Sequence, residues 1–427
     1  MPAERLYYTH AALARFTAVV TDIREHSRTQ GASLWQVALD RTAFYPTSGG
    51  QPFDTGILAA TAQSGARLEA AVTEVFEDEQ GEVWHLTAKP LLTGTTVEGA
   101  IDEERRRDHR QQHSGQHLLS ALFDREYGAR TVSFHLGEQL STIDIEGAPL
   151  DADKLARVEA LANAIVAENR PLALRTVSGE EAERLLAAGV LRKLPPRSGA
   201  IRLVVIPGAA GPAELDVNAC GGTHVASTGE IGTVLLRGTE KVRQGVRVSF
   251  ICGGRAIAAA RADDALLTRM AQELSATRAG MVDAITRLKQ DTRNLARERQ
   301  SLREELADYH ASRLVVEAMP EKDRRLVRRV FADRDPDYVK LLASRVIAAA
   351  PHTVALFAST QQKDAPVTLV VAASADLKQH AGEALRTILP QFQGRGGGSP
   401  TLAQGEVAPD RLTAAMDALA AHFTSAA

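Results

Sequence analysis

A chain of 427 residues, 44% hydrophobic and 24% charged, is long enough for roughly two to four soluble domains and too long for one core. A formal net charge of -3 argues against a molecule that binds polyanions over its whole surface, and no apolar run is long enough to span a membrane. The opening Met1-Pro2-Ala3-Glu4-Arg5 lacks the apolar stretch of a signal peptide, and Cys220 and Cys252 alone make no disulfide framework, so a reducing cytoplasmic setting is expected.

Residues 1–100 read as mainly β. Residues 18–23 and 34–39 alternate in polarity or carry β-branched side chains, and residues 72–75 and 82–86 flank Gly81 as a hairpin. Thr47-Ser48-Gly49-Gly50-Gln51-Pro52 is a turn-rich loop. Short strands joined by turns predict a small barrel.

Residues 101–254 predict an α+β domain. Apolar Leu118, Leu119, Leu122 and Phe123 recur at helical spacing, which predicts a helix over 103–127. Strands follow at 131–136 and 141–145, then helices at 151–168, with Asp151 as N-cap, and at 178–188, stopped by Gly189. A strand is expected at 201–206, a loop at 214–225, and strands at 234–237 and 246–252. Arg105, Arg106, Arg107 and Arg110 cluster here, as Arg324, Arg325, Arg328 and Arg329 do later. Such patches can hold phosphates, although each alone is more simply a solvated face. With 4% aromatic residues, a base-stacking platform is not expected.

Residues 255–312 predict one long helix. Leu267, Leu274, Met281, Leu288, Leu295, Leu302 and Tyr309 recur every seven residues, while the companion positions Ala271, Arg278, Ile285, Thr292, Arg299 and Leu306 are mixed. That seam can pair in a homodimer or pack within the chain. Residues 313–427 read as an α/β module with strands at 314–317, 353–358 and 367–372 and helices at 338–349, 378–389 and 410–423. Before the last helix, Gly394-Arg395-Gly396-Gly397-Gly398 exposes backbone N–H groups, or is simply a flexible loop.

The chemistry concentrates in two short segments. His109, His113 and His117 stand four residues apart, so neighbours in the series share a helix face with Cβ atoms about 5–6 Å apart. Cys220-Gly221-Gly222-Thr223-His224 places a thiolate and an imidazole around a glycine turn. His113, His117, Cys220 and His224 together make a donor set suited to one tetrahedral zinc ion. His113 and His117 are preferred to the earlier pair because they run directly into the apolar helix. A histidine-rich set favours zinc that touches substrate over purely structural zinc. Four protein ligands leave no open position, so either one of them, with His224 the candidate, gives way or the ion only orients substrate.

These residues resemble a family. His113-Ser114-Gly115-Gln116-His117 resembles the HxxxH motif of alanyl-tRNA synthetase editing domains and of free-standing alanyl-tRNA editing proteins (AlaX), and Cys220-Gly221-Gly222-Thr223-His224 resembles their CxxxH motif. Ser48-Gly49-Gly50-Gln51 resembles the glycine-rich motif of their barrel, and Arg395-Gly396-Gly397-Gly398 that of a C-terminal DHHA1 module. The resemblance implies a multidomain α+β chain: N-terminal β-barrel, zinc-binding editing core, long coiled-coil-like helix and C-terminal α/β DHHA1 module. It implies a zinc-dependent deacylase, one zinc per chain, that acts in trans on Ser-tRNA(Ala), with Gly-tRNA(Ala) as a further candidate substrate. Aminoacylation is not expected, because the chain opens on the barrel.

Gln116, Thr223 and Ser133 are then the candidate catalytic residues, the first two because they flank ligands. Gln51 and Arg395, Gly396, Gly397 and Gly398 are the candidate tRNA contacts. A homodimer through the long helix or C-terminal module is the expected assembly. Gln116 stands where many synthetase editing domains have threonine, and Ser133 near where they have glutamine, which is closer to the free-standing proteins and leaves serine against glycine open. Two rivals remain: a DHHA1-containing phosphodiesterase, against which Asp108-His109-Arg110 breaks the Asp-His-His pattern, and a non-catalytic tRNA-binding protein with a structural zinc.

Overall fold

The computed structural model describes residues 3–29, 32–147, 150–194, 199–209, 214–243, 245–321, 323–360 and 366–425. It divides into two compact units, Met1–Arg269 and Met270–Ala427, so the expected barrel and editing core share the first.

Six strands close the barrel: β1 (Arg15–Thr29), β2 (Ala32–Leu39), β3 (Gly56–Thr61), β4 (Arg67–Glu77), β5 (Val83–Thr87) and β6 (Thr96–Ile101), in the order β1-β2-β5-β4-β3-β6. Inward residues fill the lumen, among them Val20, Val37, Phe44, Leu58, Val72, Val75 and Val97. Closure leaves no free strand edge.

Helix α1 (Glu103–Tyr127) follows at once. Asp102 caps it by accepting from the Arg105 N–H, Glu103 and Glu104 suit the positive end of its dipole, and Gly128 at φ +63° ends it with N–H bonds back to Asp124 and Phe123. Its residues from Gln112 to Phe123 are all buried. One buried ion pair ties it to the barrel: Arg106 grips Asp54, which also accepts from the Tyr45 N–H at 2.6 Å. The remaining Arg106 donors reach the Ala11 and Ala43 carbonyls. The first basic cluster therefore has structural partners: Arg105 donates to Phe53 O, and Arg110 to His224 O and Glu230.

The apolar face of α1 packs on an antiparallel sheet built from β7 (Thr131–Leu136), β8 (Ser141–Glu146), β12 (Val234–Val242) and β13 (Gly245–Cys252), in the order β12-β13-β8-β7. Helix α2 (Ala152–Ala167), capped by Asp151, joins the same core. A second sheet holds β9 (Ala173–Val177), β10 (Ile201–Pro207) and β11 (Glu214–Ala219), with α3 (Gly179–Ala187), capped by Ser178, beside it. Strand β11 corrects the loop expected at 214–225. Its ladder with β10 pairs Leu203 with Ala219 and Val205 with Val217, and the alternation of Leu215, Val217 and Ala219 with Asp216 and Asn218 is the local pattern that the loop reading passed over.

The long helix is two helices, α4 (Gly254–Glu273) and α5 (Met281–Glu317). The interruption includes Ser275 at φ +48°, and Leu274 of the expected seam lies outside both helices. Helix α5 continues through Leu314, Val315 and Val316, where a strand was expected. Leu314 and Val315, partly buried, pack against a core that holds Ala307 and Ala311, and that packing overrides the β propensity of Val315.

The C-terminal sheet orders β14 (Arg325–Phe331), β15 (Thr353–Ser359), β16 (Val367–Ala373), β17 (Arg395–Gly398) and β18 (Leu402–Val407) as β14-β15-β16-β18-β17. Helices α5 and α6 (Pro336–Ala349) cover one face, and α7 (Ala381–Ile388) and α8 (Leu412–Ser425) the other. Alternate residues of β15 serve the two cores, Ala355 and Phe357 on one side and Val354 and Leu356 on the other. The second basic cluster forms or flanks β14, and its members have partners: Arg328 with Asp417, Arg329 with Glu317, Arg324 with Phe423 O and Arg325 with Ala318 O.

Candidate metal centre and the cleft beside it

Helix α1 presents His113 and His117 one turn apart, and the turn after β11 presents Cys220 and His224 to the same point. One ligand atom from each of these four side chains lies within 4.8 Å of the others, a group that can hold one metal ion. The Cys220 Sγ is 3.4 Å from His113 Nε2 and 3.3 Å from His224 Nε2. Gly222 is required by close approach, since a Cβ there would fall 2.2 Å from His113 Cε1.

Each imidazole is held from behind through Nδ1. His113 Nδ1 meets Gln51 Oε1 at 2.9 Å, and His224 Nδ1 meets Ser114 Oγ at 3.1 Å. His117 Nδ1 lies 3.7 Å from Asp216 Oδ2 and 3.4 Å from Asn218 Nδ2. The Gln51 and Ser114 contacts orient the His113 and His224 rings toward the cluster, as outer partners do around a metal.

The charges suit a cation. Burial alone would raise the Cys220 thiol, but His113 and His224 beside it hold it well below its ordinary value, so it is a thiolate. Burial pushes His224 well below the imidazole range. Burial would lower His117 as well, yet Asp216 and Cys220 lift it to about 9. His109 does not join the cluster: it is buried, with Nδ1 lacking a hydrogen-bond partner, and burial drives it down to about 3.

The cluster forms part of the wall of a cleft of about 850 Å³ within the first unit. Gln116 lines it, donating from Nε2 to Ser120 Oγ at 2.8 Å, while its buried Oε1 has no partner. Ser133 also lines it, but its hydroxyl is given to Asp144 at 2.8 Å. Thr223 is not on the cleft wall: it is fully buried, and both its N–H and its hydroxyl bond to Gln51. Gln51 is itself fully buried, so it is not a surface contact for nucleic acid. In the second unit, Arg395 extends from the edge strand β17, its side chain 91% exposed and paired with Glu406 at 3.3 Å; Gly396, Gly397 and Gly398 continue that strand where a loop was expected.

Sequence reasoning missed several residues. Asp216 and Asn218 precede Cys220 at period two, a signal that reading 214–225 as a loop concealed. Arg202 binds the Cys220 and Gly222 carbonyls at 2.7 and 3.0 Å, and its Nη2 is buried without a partner. Tyr8, Tyr45 and Phe134 all line the cleft, which gathers aromatic rings although the composition is poor in them.

Fold and site together define a chain of the aminoacyl-tRNA synthetase-related class. Family models match residues 2–105 (tRNA synthetases class II (A)), 201–247 (threonyl and alanyl tRNA synthetase second additional domain) and 323–425 (DHHA1 domain). The alanyl-tRNA editing protein AlaX-M of Methanosarcina acetivorans is 35% identical over 237 residues, which cover 53% of this chain and 89% of that protein. The chain belongs to the alanyl-tRNA editing family. The alanine–tRNA ligase of Methanoculleus marisnigri is 31% identical over 424 residues, 97% of this chain and 43% of the ligase, so the chain spans less than half the length of that relative. The C-Ala domain of Aquifex aeolicus alanyl-tRNA synthetase is 28% identical and covers 26% of this chain and 98% of that domain, with a TM-score of 0.23. Among the described residues, no helix is long and apolar enough to cross a membrane.

Proposed function

We propose that this chain hydrolyses the ester joining a wrong amino acid, serine or glycine, to tRNA(Ala), with one zinc ion held by His113, His117, Cys220 and His224. The observation that carries the reading is the His3Cys cluster on the wall of a cleft that also holds the buried, unpartnered Gln116 Oε1 and Arg202 Nη2, in a chain of the editing family. Zinc–nitrogen and zinc–sulfur bonds of about 2.0 and 2.3 Å in a tetrahedron put neighbouring donors roughly 3.3–3.6 Å apart. The two sulfur–nitrogen separations, 3.4 and 3.3 Å, suit that geometry.

A zinc ion there supplies a Lewis acid that can orient the amino acid or acidify water. The closed set of four protein ligands favours orientation. Gln116 Oε1, buried and unpartnered next to His117, is an acceptor for the ammonium or hydroxyl of the amino acid. Alanine lacks that hydroxyl and forgoes the bond, which is how a site built for serine spares the correct product. Arg202 Nη2 is a donor for the ester carbonyl as it gains charge. Thr223 acts through Gln51 and not on substrate; Ser133 shapes the wall. Arg395 and Gly396, Gly397 and Gly398 are proposed to meet the body of the tRNA.

Incubation with Ser-, Gly- and Ala-tRNA(Ala) tests the reading: release of serine or glycine with alanine retained is expected, and inertness of zinc-loaded protein toward all three would overturn it. We also propose a homodimer through α5, where Leu288, Leu295 and Leu302 are 58%, 64% and 57% exposed at seven-residue spacing. Sedimentation of a Leu295→Glu, Leu302→Glu variant should show a monomer where the parent is a dimer.

A further inference from the structure

Gln51 comes from the barrel, 62 residues before His113, yet its side chain ends inside the metal centre. Its orientation is forced. The Thr223 N–H donates at 3.0 Å to one end of the amide, which must therefore be the carbonyl oxygen Oε1. The other end, Nε2, then donates to Thr223 Oγ1 at 2.9 Å. The same Oε1 faces His113 Nδ1 at 2.9 Å. A carbonyl oxygen only accepts, so His113 must carry its proton on Nδ1. Nε2, 3.4 Å from the Cys220 sulfur, is left with its lone pair facing the centre.

We infer that Gln51 is a positioning residue that selects the metal-binding tautomer of His113, so that the barrel completes a metal centre whose ligands all lie outside it. The inference rests on the proposal that the cluster holds a metal. Gln51 is 0% exposed and Thr223 is 0% exposed, so no water competes for these bonds. The backbone N–H of Thr223, between two ligands on the Cys220–His224 turn, is the anchor. One glutamine thus ties that turn to helix α1.

The test uses the full chain, metal-free and then titrated with Co²⁺. In metal-free protein at mildly alkaline pH, the ¹⁵N resonances of His113 should show a proton on Nδ1. Gln51→Leu, which fills the space but accepts nothing, should move the proton toward Nε2 and weaken Co²⁺ binding about 10–100-fold, the range found when an outer partner of a metal ligand is removed. Gln51→Glu keeps the acceptor and should retain both the tautomer and the affinity. Gln51→Asn keeps the amide but is one methylene short, so it should behave as Gln51→Leu and serves if the leucine variant does not fold. An unchanged His113 tautomer and Co²⁺ affinity in the leucine or asparagine variant overturn the inference. A parent chain that takes up no Co²⁺ overturns the metal reading instead, and the tautomer of the metal-free protein tells the two failures apart.

Discussion

Asp216 stands 3.7 Å behind His117 Nδ1 and is itself gripped by Arg192, whose side chain is 30% exposed and lines the cleft. A buried carboxylate with 1% exposure thus joins a metal-ligand candidate to a cation that solvent can reach. Burial would lower His117, but Asp216 and the Cys220 sulfur together lift it to about 9.

Asp216→Asn should therefore lower the His117 pKa and, above about pH 9, where the proton no longer competes in the parent, weaken metal binding about 10–100-fold. An NMR pH titration of metal-free protein and a chelator competition read the two effects. A His117 still at about 9 in the variant would show that Asp216 is not the cause. The same value sets a sign. His117 must lose its proton to bind metal, so affinity in the parent should rise with pH up to about 9 and level off above it.

Cys220→Ala removes the sole sulfur of the cluster and leaves three histidines. Bound zinc, measured by metal analysis after dialysis, should fall from about one per chain toward none, and Ser-tRNA(Ala) hydrolysis should fall with it. Full activity in a zinc-free variant would place the chemistry elsewhere.

Asp54→Ala leaves the Arg106 guanidinium buried at 3% exposure with no counter-charge. Breaking a buried pair from one side costs about 3–5 kcal/mol, so the urea midpoint should drop accordingly. Asp54 also accepts from the Tyr45 N–H, which puts the loss toward the upper end. A midpoint close to that of the parent would show that water replaces the carboxylate.

His85 inside the barrel is fully buried, and burial holds it down to about 4. It bonds to Val37 O at 2.9 Å and Thr42 Oγ1 at 2.8 Å as a neutral ring. The unfolded chain takes up the proton near pH 6.5 while the folded chain refuses it until about pH 4. Stability should be full above about pH 6.5 and fall by roughly 3 kcal/mol as pH drops toward 4. Denaturation of the parent and of His85→Gln across that window isolates the effect, because His109 changes in the same direction in both. Parallel pH profiles would contradict it.

Much of this protein was legible in its local patterns. The apolar spacing of Leu118, Leu119, Leu122 and Phe123 marks α1 to the residue, and Asp151 and Ser178 cap the helices they precede. The histidines one helical turn apart and the glycine turn from Cys220 to His224 name the four members of the cluster, because side-chain spacing on a helix and around a tight turn depends on neighbours in the chain. What local pattern does not hold is which distant groups meet. Strand β11 exists because β10 offers it a ladder, and α5 runs on through Leu314 and Val315 because they pack against a core shared with α6 and the sheet. The arginine clusters read more simply as solvated faces than as phosphate sites, but only the fold shows that Asp54, Glu230, Asp417 and Glu317 are partners for them. Gln51 looked like a surface residue of a glycine loop. Only closure of the barrel against α1 carries it to His113, because a hydrogen bond spanning 62 residues is decided by packing and not by the residues beside it.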